Sequence, residues 1–324
     1  MRFMSFLSLS DVYRARQRIA GHASVTPLVA SAALSAKVGA PVYLKLETLQ
    51  PTGSFKLRGA THALAELAAQ RVTRVVTAST GNHGRAVAHA ARALGIEAAV
   101  CMSSLVPANK VDAVAALGAR VVIAGDSQDD AQAEARRLVR DDGYAYVPPF
   151  DDPRIIAGQA TIGVEILEAL PDAATLVIPL SGGGLFGGVA FAAKAIRPSI
   201  RTIGVSMARG AAMYASLAAG RPIDVDELPT LADSLGGGIG VDNRYTFALT
   251  RALADDVVLL DEDAIARGIA HAYRDERLVV EGAGAVGIAA LLDERIARGD
   301  GPIVVVVSGA NIDMAVHRRL VSEN

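Results

Sequence analysis

Short apolar runs recur along the chain, and most of them lack the alternation of apolar and polar residues that marks a strand with one wet face. Val and Ile are common in these runs, as they are in parallel strands buried on both faces. Eight runs are predicted strands, at residues 42 to 46, 74 to 78, 97 to 102, 120 to 124, 175 to 180, 201 to 206, 256 to 259 and 302 to 307.

Helical spacing of apolar residues separates many of these strands. The first helix is predicted over residues 10 to 20, with Ser8 or Ser10 as its cap. Further helices are predicted at residues 83 to 94, 108 to 117, 128 to 141 and 184 to 196. Strands that alternate with helices through short loops indicate the α/β class. The proline-rich segment from Val147 to Pro153 predicts a domain boundary.

The composition is that of a folded globular protein, because 51% of the 324 residues are hydrophobic and 20% are charged. A net charge of −2 gives no electrostatic footprint for nucleic acid, so a small soluble partner is predicted. Cys101 is the only cysteine and lies in an apolar run, which excludes an intrachain disulfide. We therefore expect a buried thiol and a reducing cytoplasm.

The uncharged stretch from Ala173 to Ala193 is long enough to raise a membrane-spanning helix as an alternative. Its centre is Pro179 followed by SGGGLFGG, which packs poorly as a lone spanning helix. A strand, a glycine turn and a helix fit the stretch better, and no membrane partner is expected.

Lysine is rare in this chain, which has 32 basic residues but only five lysines. Lys56 follows a Gly and a Ser in the phrase PTGSFKLRGA, at a predicted turn into a helix. A lysine amine can form a Schiff base, which a guanidinium does not. Lys56 is thus a candidate for covalent chemistry, and a solvated helix lysine is the alternative.

A glycine-rich loop, Ser181 to Gly188, follows a predicted strand and leads into an apolar helix. Glycines let backbone amides approach an anion, and a helix N-terminus adds about half a positive charge, so the loop predicts a phosphate cradle. The loop also satisfies the dinucleotide pattern G-x-G-x-x-G, but the next strand ends at Ser206 where that pattern needs an acidic residue. A phosphomonoester is the better ligand, and a nicotinamide dehydrogenase is a distant alternative.

Two further loops lie at carboxyl ends of predicted strands, where ligands collect in open α/β sheets. The loop Ser79 to His83 reads STGNH, which suits a carboxylate or phosphate, although a plain helix cap has the same residue types. Ser308 ends the last predicted strand. These loops and Lys56 together predict one site.

In order along the chain, these motifs resemble the β-family (fold type II) of pyridoxal phosphate enzymes, and more narrowly its threonine dehydratase and serine racemase group. The similarity spans nearly the whole chain, through SFKLRG, STGNHG, IAGQATIGVEI, SGGGL, VVEGAGAVGIAAL and SGANID. Within the group, the phrases KLETLQPTGSFKLRGA, MSSLVPANK and TLADSLGGGIGVDNRYTF are similar to the hydroxyectoine utilisation dehydratases.

The resemblance implies two open, mostly parallel twisted sheets flanked by helices, as in the tryptophan synthase β-like fold. It implies a large pyridoxal-phosphate-binding domain from residues 1–52 and 150–324, with a small domain from residues 53–149. The resemblance also implies that the protein is a homodimer and that its substrate is an amino acid.

The same resemblance assigns roles to single residues. Lys56 would carry pyridoxal 5'-phosphate and, once freed, take the α-proton of the substrate. Thr80, the second catalytic candidate, stands where serine racemases have a serine. The cofactor-binding set is Phe55, Lys56, Asn82, Gly182, Gly183, Gly184, Leu185, Glu281 and Ser308. The substrate-binding set is Ser79, Thr80, Gly81 and His83.

The implied reaction removes water and then ammonia from a β-hydroxy amino acid and gives a 2-oxo acid. Ser308 favours elimination, because a neutral hydroxyl does not hold a ring nitrogen protonated as a carboxylate does. The extra methyl of Thr80 disfavours racemisation. The alternatives are an L-threonine or L-serine dehydratase, a serine or aspartate racemase, a β-replacement synthase and a catalytically silent binding protein.

Besides Thr80, two further positions depart from the group, and no metal is expected. Ser206 stands where relatives have a glutamate that helps to bind a divalent cation, and the six histidines show no ligand spacing. Ser234 replaces a glycine, and three glycines follow it. This loop predicts a reshaped substrate pocket, with a structural turn as the alternative.

Overall fold

The fold was taken from a computed structural model, which describes residues 6–79, 81–106, 108–297 and 299–323. This part of the chain contains ten strands: β1 (Leu28–Ser31), β2 (Val42–Leu46), β3 (Arg74–Ala78), β4 (Glu97–Met102), β5 (Arg120–Ile123), β6 (Ala145–Tyr146), β7 (Thr175–Pro179), β8 (Arg201–Met207), β9 (Asp256–Leu260) and β10 (Ile303–Val307).

The same described residues form thirteen α-helices: α1 (Leu9–Ile19), α2 (Ala32–Val38), α3 (Lys56–Ala69), α4 (Asn82–Leu94), α5 (Ala108–Ala115), α6 (Gln128–Asp142), α7 (Pro153–Ala169), α8 (Gly184–Ile196), α9 (Ala212–Ala219), α10 (Thr246–Leu253), α11 (Glu262–Arg274), α12 (Gly282–Leu292) and α13 (Met314–Glu323). The described residues also form two short 3₁₀ helices, Glu47–Leu49 and Asp233–Leu235.

The strands form two sheets. The larger has the order β1-β2-β10-β7-β8-β9 and is parallel except for β1, which pairs antiparallel with β2. The smaller has the order β5-β4-β3-β6 and is parallel throughout. The prediction of an α/β fold with two mostly parallel sheets flanked by helices is confirmed.

The continuous apolar runs are explained by burial on both faces of the larger sheet. Along β10, Ile303, Val305 and Val307 pack into one core cluster, while Val304 and Val306 pack into another. Successive side chains of a strand point to opposite faces, so a strand covered on both faces needs apolar residues at every position. The run from Ala173 to Ala193 accordingly contains β7, a glycine turn and α8.

All eight predicted strands occur, and β1 and β6 were not predicted. β1 is an edge strand with exposed residues and β6 has only two residues, so neither forms a buried apolar run. Ser8 caps α1 in a reciprocal arrangement with Asp11, which decides between the two predicted caps.

In the described part of the chain, we find no helix with the length and apolar character needed to cross a membrane.

Candidate active site

Lys56 is the first residue of α3, and backbone bonds hold the segment before it against the end of β10. Ser54 forms an isolated antiparallel bridge with Gly309. The amide of Phe55 donates to the carbonyl of Ser308 over 3.0 Å. The fold therefore brings the backbone that precedes Lys56 into contact with the backbone at Ser308.

The amine of Lys56 lies in a water-poor environment. Its Nζ donates to the carbonyl oxygen of Pro149 over 2.7 Å and lies 5.4 Å from the centroid of the Phe55 ring. Burial lowers the pKa of this amine to about 8, and the nearby charge of Glu281 opposes that shift in part. A substantial fraction of the amine is therefore neutral near physiological pH.

The glycine loop after β7 leads into the N-terminus of α8. Gly183 has a φ of +85° and caps α8 without a side-chain hydrogen bond. A Cβ on Gly182 would lie 2.4 Å from a ring carbon of Phe150, so the ring needs a glycine there. The first amides of an α-helix have no partner within the helix, and with no side-chain cap they suit an anion. The buried Leu185 follows in the first turn.

The segment predicted as a domain boundary forms one wall of the site. Beyond Pro149 and Phe150, Asp151 accepts hydrogen bonds from the amides of Arg244, Tyr245 and Thr246 over 2.7 to 2.9 Å. Asp151 thereby caps α10 from 93 residues or more away. None of the three wall residues was predicted from the sequence, because their partners are distant and the only local signal is the Pro-Pro-Phe-Asp-Asp phrase.

Asn82, the first residue of α4, belongs to a hydrogen-bonded chain. Its Nδ2 donates to Oε1 of Glu281 over 2.7 Å, and its Oδ1 accepts from Nδ2 of Asn311 over 2.6 Å. Asn311 in turn accepts from Nη1 of Arg85 over 3.0 Å. The chain orients the Asn82 carboxamide. The roles of Arg85 and Asn311 in this chain of hydrogen bonds were not predicted from the sequence.

Glu281 precedes α12 and is 3% exposed. Burial, with the negative charge of Asp233, raises the pKa of its carboxyl group to about 7, against the hydrogen bonds from Asn82 and the amide of Asn311. The carboxyl group is therefore close to half protonated at neutral pH.

His83 is buried and neutral. Burial lowers its pKa to about 3, and the charge of Lys56 acts in the same direction. Its Nε2 lies 3.0 Å from the carbonyl of Val147, which only accepts, so Nε2 carries the proton. Nδ1 is then an acceptor, and it has no partner among the described residues. This imidazole therefore has no second N–H to donate to a substrate carboxylate. It can shape the pocket or accept a hydrogen bond at Nδ1.

Ser79 caps α4, because its Oγ accepts from the amides of Gly84 and Gly81 over 3.1 and 3.4 Å. The helix-cap alternative for this loop is thus present, and the hydroxyl of Ser79 has no acceptor among the described residues. Gly81 directly precedes α4. Thr80 lies outside the described residues.

Ser308 and Ser234 each have a hydroxyl at long hydrogen-bond distance from a neighbouring group. The buried hydroxyl of Ser308 donates weakly to the carbonyl of Ala283 over 3.3 Å. Oγ of Ser234 lies 3.4 Å from Nδ2 of Asn82. The Ser234 loop, which departs from the group pattern, therefore reaches the site.

The described residues contain no group of three or more His, Cys, Asp or Glu side chains placed to hold a metal ion. The hydroxyl of Ser206 lies 3.4 Å from the sulfur of Met207. The absence of a metal stays a prediction.

These residues fit a ligand with a phosphate at one end and an aldehyde at the other. The N-terminus of α8 lacks a side-chain cap, and the Lys56 amine is desolvated enough to be partly neutral. A neutral amine is the form that attacks a carbonyl. Fold and site together define a pyridoxal phosphate enzyme.

The comparisons agree with this class. Residues 19–309 match the family model described as pyridoxal-phosphate dependent enzyme, and the chain belongs to that family. A Sinorhizobium fredii protein provisionally named a threonine dehydratase is 57% identical, over 99% of this chain and 97% of that protein. The L-threonine ammonia-lyase of Thermotoga maritima is 39% identical, over 98% of this chain and 79% of that protein.

A solved structure of maize serine racemase aligns with a TM-score of 0.91 at 34% identity, over 98% of this chain and 97% of that chain. The protein is accordingly a pyridoxal-phosphate-dependent enzyme of the ammonia-lyase class.

Proposed function

We propose that this enzyme is a dehydratase that removes water and then ammonia from a β-hydroxy amino acid and releases a 2-oxo acid. The observation that carries the proposal is the buried amine of Lys56, with a pKa of about 8, at the start of α3. An amine in this state serves both as a covalent anchor and as a proton acceptor. The names of the relatives, threonine dehydratase and L-threonine ammonia-lyase, support the same reaction class.

The residues proposed to hold pyridoxal phosphate come from the segments described above. Lys56 would attach it covalently, and the backbone amides from Gly182 to Leu185 would receive its phosphate. The side chains proposed around its ring are Phe55, Asn82, Glu281 and Ser308. When bound, the cofactor withdraws electrons from the α-carbon of an attached amino acid, which weakens the bond to the α-proton.

Lys56, once freed from the cofactor, would take the α-proton. Its lowered pKa helps, because a base works best when its pKa lies near the working pH. The pKa of His83, at about 3, leaves that imidazole too weakly basic to compete for the proton at neutral pH.

The N-terminus of α4 would receive the substrate carboxylate. Ser79, Gly81 and the first amides of α4 are proposed for this role, because the positive end of a helix dipole favours an anion. His83 would shape the pocket. Thr80 remains the second catalytic candidate from the sequence.

Ser308 supports elimination over transamination. Its neutral hydroxyl would contact the ring nitrogen without keeping it protonated, so negative charge on the ring would be short-lived. Prompt loss of the β-hydroxyl suits such a site.

We further propose a place in hydroxyectoine catabolism, supported by the phrases that resemble hydroxyectoine utilisation dehydratases. The alternatives are an L-threonine or L-serine dehydratase, supported by the named relatives, and a serine or aspartate racemase on the same scaffold. We also propose that the protein is a cytoplasmic homodimer. Each subunit would have a large domain from residues 1–52 and 150–324 and a small domain from residues 53–149.

Replacement of Lys56 tests the reaction. Lys56→Ala should abolish the visible cofactor band and the release of ammonia, while Lys37→Ala, at an exposed ion pair with Glu294, should retain both. A Lys56→Ala protein that kept band and turnover would refute the assignment.

A substrate panel tests the rest of the proposal. Ammonia release is measured with threonine, serine, the 3-hydroxyaspartate isomers and diamino acids derived from hydroxyectoine. Chiral inversion without a keto acid identifies a racemase, and binding without turnover across the panel identifies a silent binding protein.

A further inference from the structure

Four charged side chains are buried together beside the start of α3. Lys45 on β2, Glu47 after it, Arg58 on α3 and Glu165 on α7 are each at most 5% exposed. Two are cations and two are anions, so the cluster has no formal net charge. None of these residues belongs to the cofactor or substrate sets above.

Arg58 is the centre of this cluster. Its Nε and Nη2 donate to the two carboxylate oxygens of Glu47, each over 2.8 Å. Its Nη1 and Nη2 donate to the two oxygens of Glu165 over 2.6 and 2.8 Å. Thr161 and the carbonyl of Ser24 accept further bonds over 3.1 Å. Only a guanidinium has the planar set of donors for two bidentate pairs.

Stability alone is a weak explanation for such a cluster. Apolar residues of similar volume are often as stabilising as a buried ion pair, because desolvation offsets the attraction between the charges. Fixed geometry, from two parallel N–H···O bonds in each pair, is what the bidentate pairs add.

Arg58 lies two residues after Lys56, so the lysine sits between two anchors. The first is the Ser54 to Gly309 bridge, with the Phe55 to Ser308 bond. The second anchor is formed by Glu47 and Glu165, which both accept hydrogen bonds from Arg58. At the next residue, Gly59, α3 is in close backbone contact with α7, because a Cβ on Gly158 would lie 2.6 Å from Cα of Gly59. Little rotation of α3 about its axis is possible in this arrangement.

We propose that Arg58 is a positioning residue for Lys56. Its pairs with Glu47 and Glu165 fix the first turn of α3, and this keeps the Lys56 amine at the carbonyl of Pro149. The inference rests on the proposed role of Lys56 as the reactive lysine.

Arg58→Lys tests the proposal, because a lysine keeps the charge and loses the two bidentate pairs. We expect kcat to fall about 10- to 100-fold while KM changes by about threefold or less, since a displacement of about 1 Å at a reacting group costs up to about 100-fold in rate. The matched control is Lys45→Met, which disturbs the same cluster through β2 and should leave kcat within about twofold.

A second readout needs neither substrate nor cofactor. The pH dependence of Lys56 acylation is followed by peptide mass spectrometry in the full chain without pyridoxal phosphate. We expect a midpoint near 8 for the wild type and Lys45→Met, and a shift toward 10.5, the ordinary lysine pKa, for Arg58→Lys. If the wild type releases no ammonia, the proposed function fails, but the acylation midpoints still decide the role of Arg58.

The inference is overturned if Arg58→Lys keeps the wild-type kcat and the wild-type pH midpoint of Lys56 acylation. It is also overturned if Lys45→Met loses as much kcat as Arg58→Lys. If Arg58→Lys does not fold, Glu47→Gln replaces it, because the amide still accepts one bond from Arg58. A folded Glu47→Gln protein should lose about three- to tenfold in kcat, and unchanged kcat there would also overturn the inference.

Discussion

Oε1 of Glu281 accepts a hydrogen bond of 2.7 Å from Nδ2 of Asn82, although 199 residues separate the two in the chain. The bond joins the start of α4 to the start of α12 across the proposed cofactor site. Because Glu281 is buried beside Asp233, this carboxyl group keeps its proton to higher pH than an ordinary glutamate.

Glu281→Gln should therefore change how stability depends on pH. The folded-state pKa, about 7, is above the ordinary value of 4.5, so the folded state holds an extra proton between these values. The stabilising contribution is fully present below about pH 4.5 and is lost as the pH rises through 7. Thermal unfolding should show the wild type losing several degrees of Tm relative to Glu281→Gln over this window. Parallel curves would contradict the prediction.

Covalent attachment of pyridoxal phosphate should follow the titration of Lys56. Only the neutral amine reacts, so the rate should rise about tenfold per pH unit below the pKa and level off above about 8. Growth of the visible band after mixing measures this rate. A midpoint near 10.5 would mean that the amine is solvated in solution.

Gly182→Ala should weaken cofactor binding because the new Cβ meets Phe150. The overlap, at 2.4 Å from the ring, requires the ring or the loop to move, at a cost of about 1–3 kcal/mol. We expect the dissociation constant of pyridoxal phosphate, measured by fluorescence titration, to rise about tenfold or more.

Phe150→Ala in the same chain should restore part of the lost affinity. Gly299→Ala is the matched control, because its Cβ would lie 3.6 Å from its nearest neighbour, the hydroxyl of Thr175, and Gly299 belongs to none of the loops assigned to the site. A Gly182→Ala protein with wild-type affinity would show that the loop does not hold the phosphate in this conformation.

Asp151→Ala should reduce both stability and cofactor affinity. The change leaves the amides of Arg244, Tyr245 and Thr246 without their acceptor, which costs about 1–3 kcal/mol of unfolding free energy. A Cβ on Gly183 would lie 3.0 Å from Cβ of Thr246, so a displaced α10 also disturbs the cradle.

Asp152→Ala is the control for Asp151, because Asp152 caps α7 and lies one residue further along. Denaturant unfolding should show a loss of about 1 kcal/mol for this lost cap. Its affinity for pyridoxal phosphate should stay within about twofold. If both variants lose affinity equally, general destabilisation explains the effect.

Local patterns predicted the buried framework well. The runs at β2, β3 and β4 appear at the predicted residues, because a strand buried on both faces must be apolar throughout. The first helix likewise begins at Leu9, one residue before the predicted start, and its cap is the predicted Ser8, which exchanges hydrogen bonds with Asp11 three residues later. These signals are local, so the sequence carries them in full.

The segment from Val147 to Pro153 shows where local patterns were insufficient. Its prolines and aspartates indicated a boundary, yet its carbonyls, ring and carboxylate contact Lys56, His83, Gly182 and α10. Each contact spans about 30 to 95 residues, and no periodicity in the sequence encodes such a pair.

The sequence by itself determined the α/β class, the candidate lysine, the glycine loop and the resemblance to pyridoxal phosphate enzymes, because these depend on residue type and near neighbours. Only the tertiary structure decided the chemical state of the site. Burial sets the pKa of Lys56 and Glu281, and distant partners orient Asn82 and Arg58. Desolvation and hydrogen bonding depend on which groups surround a side chain in space, and only the folded chain brings those groups together.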